Sequence, residues 1–250
     1  MTALGYQREG AGPSLVLVHG YLGGSAMWAG QIAAFRDTHD VIAPDLPGFG
    51  RSADITAPDR IEDFSRCVLE HLDTLGVERF ALLGHSMGGM VVQQMAVDAP
   101  DRVSQLVCYG TGPVGILPGR FETIDESRAR LHRDGVATTA RRIAATWFRD
   151  GEAAADYPLC EELGAMVSLD SALACLTAWQ HWDGRAALSD IACETLVLWG
   201  DGDRSYDWSQ PQALWQGIAD SRLAVVPGCA HNVHHEKPAL FNAILGDFLR

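Results

Sequence analysis

Short apolar runs alternate with amphipathic stretches along most of the chain. The runs are rich in Val, Leu and Ile, which is typical of strands buried on both faces of a parallel sheet. The pattern therefore predicts an α/β fold with a mostly parallel central sheet and helices on both faces. The predicted strands are residues 14–20, 41–44, 80–83, 103–109, 195–200 and 223–226, and the clearest predicted helices are 61–75 and 87–99.

The alternation stops between residues 112 and 188. This part of the chain holds helical patterns without a strand-like run, and strand patterns resume at Thr195. We therefore expect residues 1–111 and 189–250 to form the core and residues 112–188, the cap segment, to form an inserted helical cap. Glycines and prolines, which favour hinges and turns, mark its entry at Gly112, Pro113, Gly115, Pro118 and Gly119.

A Gly-x-Ser-x-Gly motif, Gly84 to Gly88, lies directly between the strand 80–83 and the helix 87–99. Glycines two positions either side of Ser86 let the chain turn sharply from strand to helix. The serine side chain then projects above the sheet while the first N–H groups of the helix point towards its target. This placement predicts that Ser86 is a nucleophile.

A second apolar strand ends in His19-Gly20, and Tyr21 follows. A loop loosened by glycine can turn a backbone N–H inward, so we assign the oxyanion hole to the N–H groups of Tyr21 and Met87. His19 either touches the substrate or braces this loop, and we expect bracing.

An aspartate is needed to orient the base, and three follow the strand 195–200. Asp201, Asp203 and Asp207 are the candidates. The acid would accept a hydrogen bond from the catalytic histidine, and the position of the strand by itself leaves all three open.

Three histidines near the C-terminus compete for the role of general base. His231 follows a loop of small residues directly after the last strand, so it can reach Ser86. His234 and His235 lie closer to the following helix, where we expect surface or helix-start positions. A metal site built from the three is a weaker hypothesis, because the spacing His-Glu-x-x-His is absent. We predict His231 as the base and no metal.

These motifs in this order resemble the cap-bearing α/β-hydrolase superfamily over essentially the whole chain. The resemblance is carried by His19-Gly20 and by residues 45–52, 84–89, 200–203 and 228–231. It implies the chain order Ser, Asp, His of the α/β-hydrolase triad. It also favours Asp203 as the acid, with Asp201 as the reserve, because in this family the acid sits a few residues past the strand end. The compact helical cap and the pair Trp147-Phe148 are similar to those of 3-oxoadipate enol-lactonases. The superfamily accepts many substrates, so the resemblance indicates fold and machinery more sharply than substrate.

Aromatic residues of the cap segment are candidate pocket walls, and a cap arginine could clamp a substrate carboxylate. The alternative is that the aromatics pack the cap onto the core and the arginines are solvated. The candidates that we predict for the pocket are Phe121, Trp147, Trp179 and Trp182.

The chain has 250 residues, 47% of them hydrophobic, and a formal net charge of −13. Such an acidic chain lacks the basic face that nucleic acid or an anionic membrane would need. No apolar stretch is long enough to span a bilayer. Six scattered cysteines without a Cys-x-x-Cys pair indicate reduced thiols. We expect a cytoplasmic monomer or homodimer with a small-molecule substrate and no cofactor.

The preferred function is hydrolysis of a small carboxylic ester or lactone through an acyl-enzyme on Ser86. A second candidate is hydrolysis of the C–C bond in meta-cleavage-type diketones, although that family usually has asparagine where this chain has His85. A third is a slow-turnover ligand-binding receptor that retains the triad.

Overall fold

A computed structural model of the protein describes residues 3–117 and 119–250. Its centre is a seven-stranded sheet of order β1-β3-β2-β4-β5-β6-β7. β1 pairs with β3 in antiparallel orientation, and all the other neighbours pair in parallel. The strands are β1 Tyr6–Glu9, β2 Ser14–Val18, β3 Asp40–Pro44, β4 Phe80–His85, β5 Val103–Tyr109, β6 Glu194–Gly200 and β7 Ser221–Val226.

Helices cover both faces of the sheet. Outside the cap segment they are α1 Ala29–Phe35, α2 Ile61–Thr74, α3 Met87–Asp98, α7 Ser209–Gly217, α8 Val233–Glu236 and α9 Pro238–Phe248. Inside it they are α4 Ile124–Thr146, α5 Tyr157–Ala165 and α6 Leu169–His181. No helix within the described residues has the length and apolarity needed to cross a membrane.

Alternate residues of each strand face opposite layers, as the two-residue period of a strand requires. In β2, Leu15 and Leu17 pack with α1, α8 and α9, whereas Val16 and Val18 pack in the layer of α2, α3 and the cap segment. All four side chains are fully buried. The predicted α/β-hydrolase fold, with a mostly parallel sheet between helical layers, is therefore confirmed.

The cap segment is helical, and its two ends meet. A capping box of Thr123 and Glu126 starts α4, and Gly135, at φ 78°, breaks that helix into two parts. An isolated β-bridge joins Val114 to Asp183 near the beginning and the end of the segment. The predicted domain division at 111/112 and 188/189 stays a prediction, and the proposed hinge residue Pro118 lies outside the described residues.

Gly84 allows α3 to pass close behind β4. A β-carbon added there would collide with the carbonyl oxygen of Gly88 and lie 2.5 Å from Cγ2 of Val92. We expect Gly84→Ala to lower the free energy of unfolding by about 2 kcal/mol or more, because the crowded atoms belong to the backbone and the packed core. Urea unfolding measures this change.

The matched control is Gly30→Ala, at an exposed position of α1, where an added β-carbon meets nothing within 4 Å. We expect this variant to gain about 0.5–1 kcal/mol from helix propensity. Equal stability changes in the two variants would contradict the close approach of α3 to β4.

Candidate active site

Ser86 occupies a strained turn between β4 and α3. Its backbone has φ 58° and ψ −123°, and within the described residues Leu22 is the other non-glycine residue with positive φ. The turn is held by a hydrogen bond from the Ser86 N–H to the Tyr109 carbonyl (3.0 Å) and one from the Thr111 hydroxyl to the Ser86 carbonyl (2.8 Å). Such strain persists only where the surroundings hold it. The geometry is that of the expected nucleophile elbow.

His231 and Asp203 come together at the same edge of the sheet as Ser86. Their side chains are almost completely buried, and Nδ1 of His231 lies 2.7 Å from Oδ2 of Asp203. The other carboxylate oxygen of Asp203 accepts hydrogen bonds from the backbone N–H groups of Ser205 (2.7 Å) and Tyr206 (3.1 Å). The carboxylate is thereby fixed in position, and an Nδ1–H tautomer of the histidine leaves Nε2 free to take a proton.

The competing acids are engaged elsewhere. Asp201 accepts a hydrogen bond from the Gly228 N–H (2.6 Å), and Asp207 accepts one from the N–H of Ser209 (3.0 Å). Neither is hydrogen-bonded to His231 within the described part of the chain.

The competing histidines also have other partners. Nδ1 of His234 lies 2.9 Å from the Tyr109 hydroxyl, and His235 lies 3.1 Å from Asp156. Both lie in the short helix α8, in agreement with the expected surface or helix-start positions, and His234 is at the helix start but buried, at 2% exposure, rather than at the surface. Within residues 3–117 and 119–250, no group of three or more His, Cys, Asp or Glu is placed to hold a metal ion.

The backbone carbonyl of His231 accepts hydrogen bonds from two side chains. The Tyr109 hydroxyl donates to it at 2.9 Å, and Nε2–H of His85 donates to it at 3.2 Å. The rings of His85 and His231 lie 4.3 Å apart. Burial, which has the larger effect, and the neighbouring His231 hold the pKa of His85 well below its usual range. His85 is therefore a neutral donor that positions the backbone of His231.

Ser86 and His231 lie in the same buried site, but no hydrogen bond joins their side chains within the described residues. The ring of Tyr206 stacks on that of His231 with centroids 5.6 Å apart. Burial raises the pKa of Tyr206, and the nearby hydroxyls of Ser86 and Thr111 partly oppose that rise. Tyr206 thus lies beside both Ser86 and His231. In substrate-free enzymes the hydrogen bond between nucleophile and base is often long and shortens when substrate binds.

The predicted oxyanion donors lie on two segments that touch. A β-carbon added to Gly20 would lie 2.8 Å from Cβ of Ser86, so the loop that carries Tyr21 runs directly against the elbow. Within the described residues, neither the Tyr21 N–H nor the Met87 N–H has a hydrogen-bond acceptor. Leu22, the residue directly after Tyr21, has a positive φ of 58°. Two free N–H groups thus flank Ser86.

His19 braces this loop from inside the core. Its Nε2 accepts a hydrogen bond from the Leu46 N–H (2.9 Å), and its Nδ1–H donates to the Gly20 carbonyl (2.8 Å). Burial lowers the pKa of His19, so the ring is neutral, as this pair of bonds requires. Both ring nitrogens are occupied within the protein, which is the bracing role expected from the sequence.

The four predicted pocket residues take different places. The ring of Trp147 lies 6.3 Å from that of His231, and the ring of Trp179 lies 6.5 Å from that of Tyr206. Phe121 contacts Arg120, whose Cζ lies 4.5 Å from the Phe121 ring centroid and 4.9 Å from that of Trp179. Trp182 borders an outer groove of about 470 Å³ lined by residues such as Pro113 and Gln180.

Sequence reasoning missed three residues of this site. Tyr206 and Tyr109 contact His231, and Arg120 lies over Trp179 with its Cζ 4.9 Å from the ring centroid. None of the three belongs to a motif. The available signal was weak: Tyr206 follows Asp203 by three positions, and Tyr109 ends the strand beside the elbow.

Comparison with known proteins identifies the family. Residues 13–238 match the family described as alpha/beta hydrolase fold. The chain therefore belongs to the α/β-hydrolase fold family, and the resemblance seen in the sequence is confirmed.

Its relatives are hydrolases of several kinds. The chain is 30% identical to the 2-hydroxy-6-oxo-6-phenylhexa-2,4-dienoate hydrolase of Comamonas testosteroni, with 98% of this chain and 90% of that protein covered. It is also 30% identical to 3-oxoadipate enol-lactonase 2 of Acinetobacter baylyi, over 92% of this chain and 86% of that protein. The crystal structure of the enol-lactonase from Burkholderia xenovorans LB400 shares the fold with a TM-score of 0.90 and 24% identity, covering 98% and 96% of the two chains.

Proposed function

We propose that this protein is a serine hydrolase that cleaves a small carboxylic ester or lactone through an acyl-enzyme on Ser86. The observation that carries the proposal is the buried hydrogen bond between His231 and Asp203, 2.7 Å long, beside a serine on a strained elbow. A histidine oriented by a fixed carboxylate is the base that a serine nucleophile requires.

In the first half of the reaction, Oγ of Ser86 attacks the carbonyl carbon while Nε2 of His231 takes the hydroxyl proton. The oxyanion accepts hydrogen bonds from the N–H groups of Tyr21 and Met87. Asp203 stabilises the imidazolium through Nδ1. Collapse of the intermediate breaks the bond to the leaving oxygen, which receives the proton from His231.

In the second half, water attacks the acyl-enzyme and gives a proton to His231. The second tetrahedral intermediate releases the acid and returns the proton to Oγ of Ser86. Each half uses the same base, the same carboxylate and the same two N–H donors. We propose that the cap segment encloses the substrate in this reaction, because Trp147 and Trp179 stand beside the catalytic residues.

The second candidate is C–C bond hydrolysis of a diketone. It is favoured by the similarity to the dienoate hydrolase of Comamonas testosteroni, 30% identical across 98% of this chain. The lactone reaction is favoured by the similarity to the enol-lactonase of Acinetobacter baylyi, also at 30%. We prefer the ester or lactone because His85 stands where the meta-cleavage hydrolases usually have asparagine.

A substrate panel tests the proposal. The panel contains p-nitrophenyl esters from acetate to octanoate, an enol-lactone and a ring-fission diketone, each measured against a reaction without protein. We expect kcat/KM of about 10⁴ M⁻¹ s⁻¹ or more for the best ester or lactone. Turnover of the diketone alone would replace the proposal with the second candidate. A single burst of p-nitrophenol without further turnover would instead indicate a receptor.

A further inference from the structure

Four buried polar atoms beside the catalytic residues have no hydrogen-bond partner within the described residues. They are the hydroxyls of Tyr21 and Tyr206, Nε of Arg120 and Nε1 of Trp179. The other three residues lie around the ring of Trp179. The centroid of this ring lies 6.1 Å from that of Tyr21, 6.5 Å from that of Tyr206 and 4.9 Å from Cζ of Arg120. All four atoms can donate, and buried donors without partners are rare in native proteins.

Arg120 is a half-buried cation whose Nε is buried, and it has no carboxylate partner among the described ion pairs. Its Nη1 donates to the Glu122 carbonyl (2.7 Å) and to the Ser127 hydroxyl (3.1 Å), which are neutral acceptors. The carboxylate of Glu122 is taken by Arg130, Arg142 and Ser127 instead. Burial lowers the pKa of Arg120 to about 10, so the guanidinium stays charged at neutral pH.

The two tyrosines connect this cation to the reacting centre. Tyr206 stacks on His231 at 5.6 Å, and Tyr21 carries one of the two proposed oxyanion N–H groups. Burial raises the pKa of both tyrosines, so both hydroxyls keep their protons and can donate. A ligand that fills this place must therefore supply acceptors and negative charge.

We infer that Arg120, Tyr21, Tyr206 and Trp179 form a binding site for a carboxylate carried by the substrate. A carboxylate presents two oxygens in the plane that a guanidinium recognises, and its negative charge matches the positive charge of Arg120. The rings of Trp179 and Phe121 lie beside this guanidinium, with Cζ of Arg120 4.9 Å and 4.5 Å from their centroids. The inference rests on the proposed function and makes its substrate an ester or lactone with a free carboxylate at a distance from the scissile carbonyl.

Two p-nitrophenyl esters of equal chain length test the inference. One is p-nitrophenyl hydrogen adipate, which ends in a carboxylate, and the other is p-nitrophenyl hexanoate, which ends in a methyl group. We expect the protein to prefer the adipate ester by about 10- to 100-fold in kcat/KM, the range of a charge-assisted hydrogen bond. In Arg120→Met the preference, measured as the ratio of kcat/KM for the two esters, should vanish.

The matched control is Arg133→Met, which removes the same charge from an exposed position on α4, the helix that follows Arg120. Arg133 is 61% exposed and pairs with Asp134. This variant should keep the full preference for the adipate ester. Thermal unfolding verifies that each variant is folded, and Arg120→Lys, which retains the charge but not the planar fork, should give an intermediate preference.

The outcomes separate this inference from the proposed function. Hydrolysis of the hexanoate ester without preference for the adipate ester, or an unchanged preference in Arg120→Met, overturns the carboxylate site and leaves the serine hydrolase intact. Hydrolysis of neither ester contradicts the proposed function. Calorimetry with Ser86→Ala then still decides the site: it should bind monomethyl adipate more tightly than methyl hexanoate, and adding Arg120→Met should remove that difference.

Discussion

Replacement of Ser86 with alanine should abolish hydrolysis of the best ester, with kcat falling by about 10⁴-fold or more. The reason is that the proposed reaction forms the acyl-enzyme on Oγ of Ser86, which alanine lacks. The fold should survive, because the turn is held through the backbone: the Ser86 N–H donates to Tyr109 and its carbonyl accepts from Thr111. The measurements are steady-state kinetics and, with a fluorophosphonate, the mass of the covalent adduct.

A serine outside the site provides the control. Ser65 is fully buried, and its hydroxyl donates to Asp98 at 2.8 Å on the far side of α2. Ser65→Ala should lose about 1 kcal/mol of stability and keep its kinetics and its fluorophosphonate adduct. An adduct that persists in Ser86→Ala would show that the nucleophile has been misassigned.

Asp203→Asn should lower kcat by about 10³- to 10⁴-fold while leaving the protein folded, which is the range typical of this replacement in Ser-His-Asp triads. The asparagine Oδ1 can still accept hydrogen bonds from the N–H groups of Ser205 and Tyr206, which lie 2.7 and 3.1 Å from Oδ1 of Asp203 in the original protein. Its NH₂ group, however, faces Nδ1 of His231 with a second donor. The ring must then place its proton on Nε2, where it can no longer act as a base for Ser86.

Asp201→Asn is the decisive control, because Asp201 is the alternative acid that the sequence offers. It is exposed, lies on the same loop and is bonded to the Gly228 N–H at 2.6 Å. We expect kcat within about threefold of the original protein. A larger loss in Asp201→Asn than in Asp203→Asn would transfer the orienting role to Asp201.

Much of the fold followed from local patterns. The apolar runs predicted six of the seven strands, because parallel strands buried on both faces are apolar at every position. β1 was missed: its four residues, Tyr6–Glu9, are polar and half exposed, and it pairs at the sheet edge in antiparallel orientation. Its assignment depends on its pairing with β3, and no local sequence pattern indicates that pairing.

The aromatic residues of the cap segment show where local reasoning fails. Trp179 and Trp182 are three positions apart and looked equivalent in the sequence. Trp179 lies in α6 and points towards Tyr206, whereas Trp182 ends the helix with an extended backbone, at ψ 132°, and borders the outer groove. The position at which α6 ends determines which tryptophan lies beside Tyr206. That position depends on contacts with the rest of the fold.

The sequence by itself determined the family, the elbow serine and the order of the proposed triad, because each depends on residues close together in the chain. Only the tertiary structure brought Asp203, rather than Asp201, into hydrogen-bond contact with His231, buried His234 and placed Tyr206 against His231. It also left Arg120 half-buried near these residues without a carboxylate partner among the described ion pairs. These features depend on contacts between side chains from separate loops in a buried space, where an unpaired charge or hydrogen-bond donor is energetically costly. Local sequence patterns do not indicate which distant residues will make such contacts.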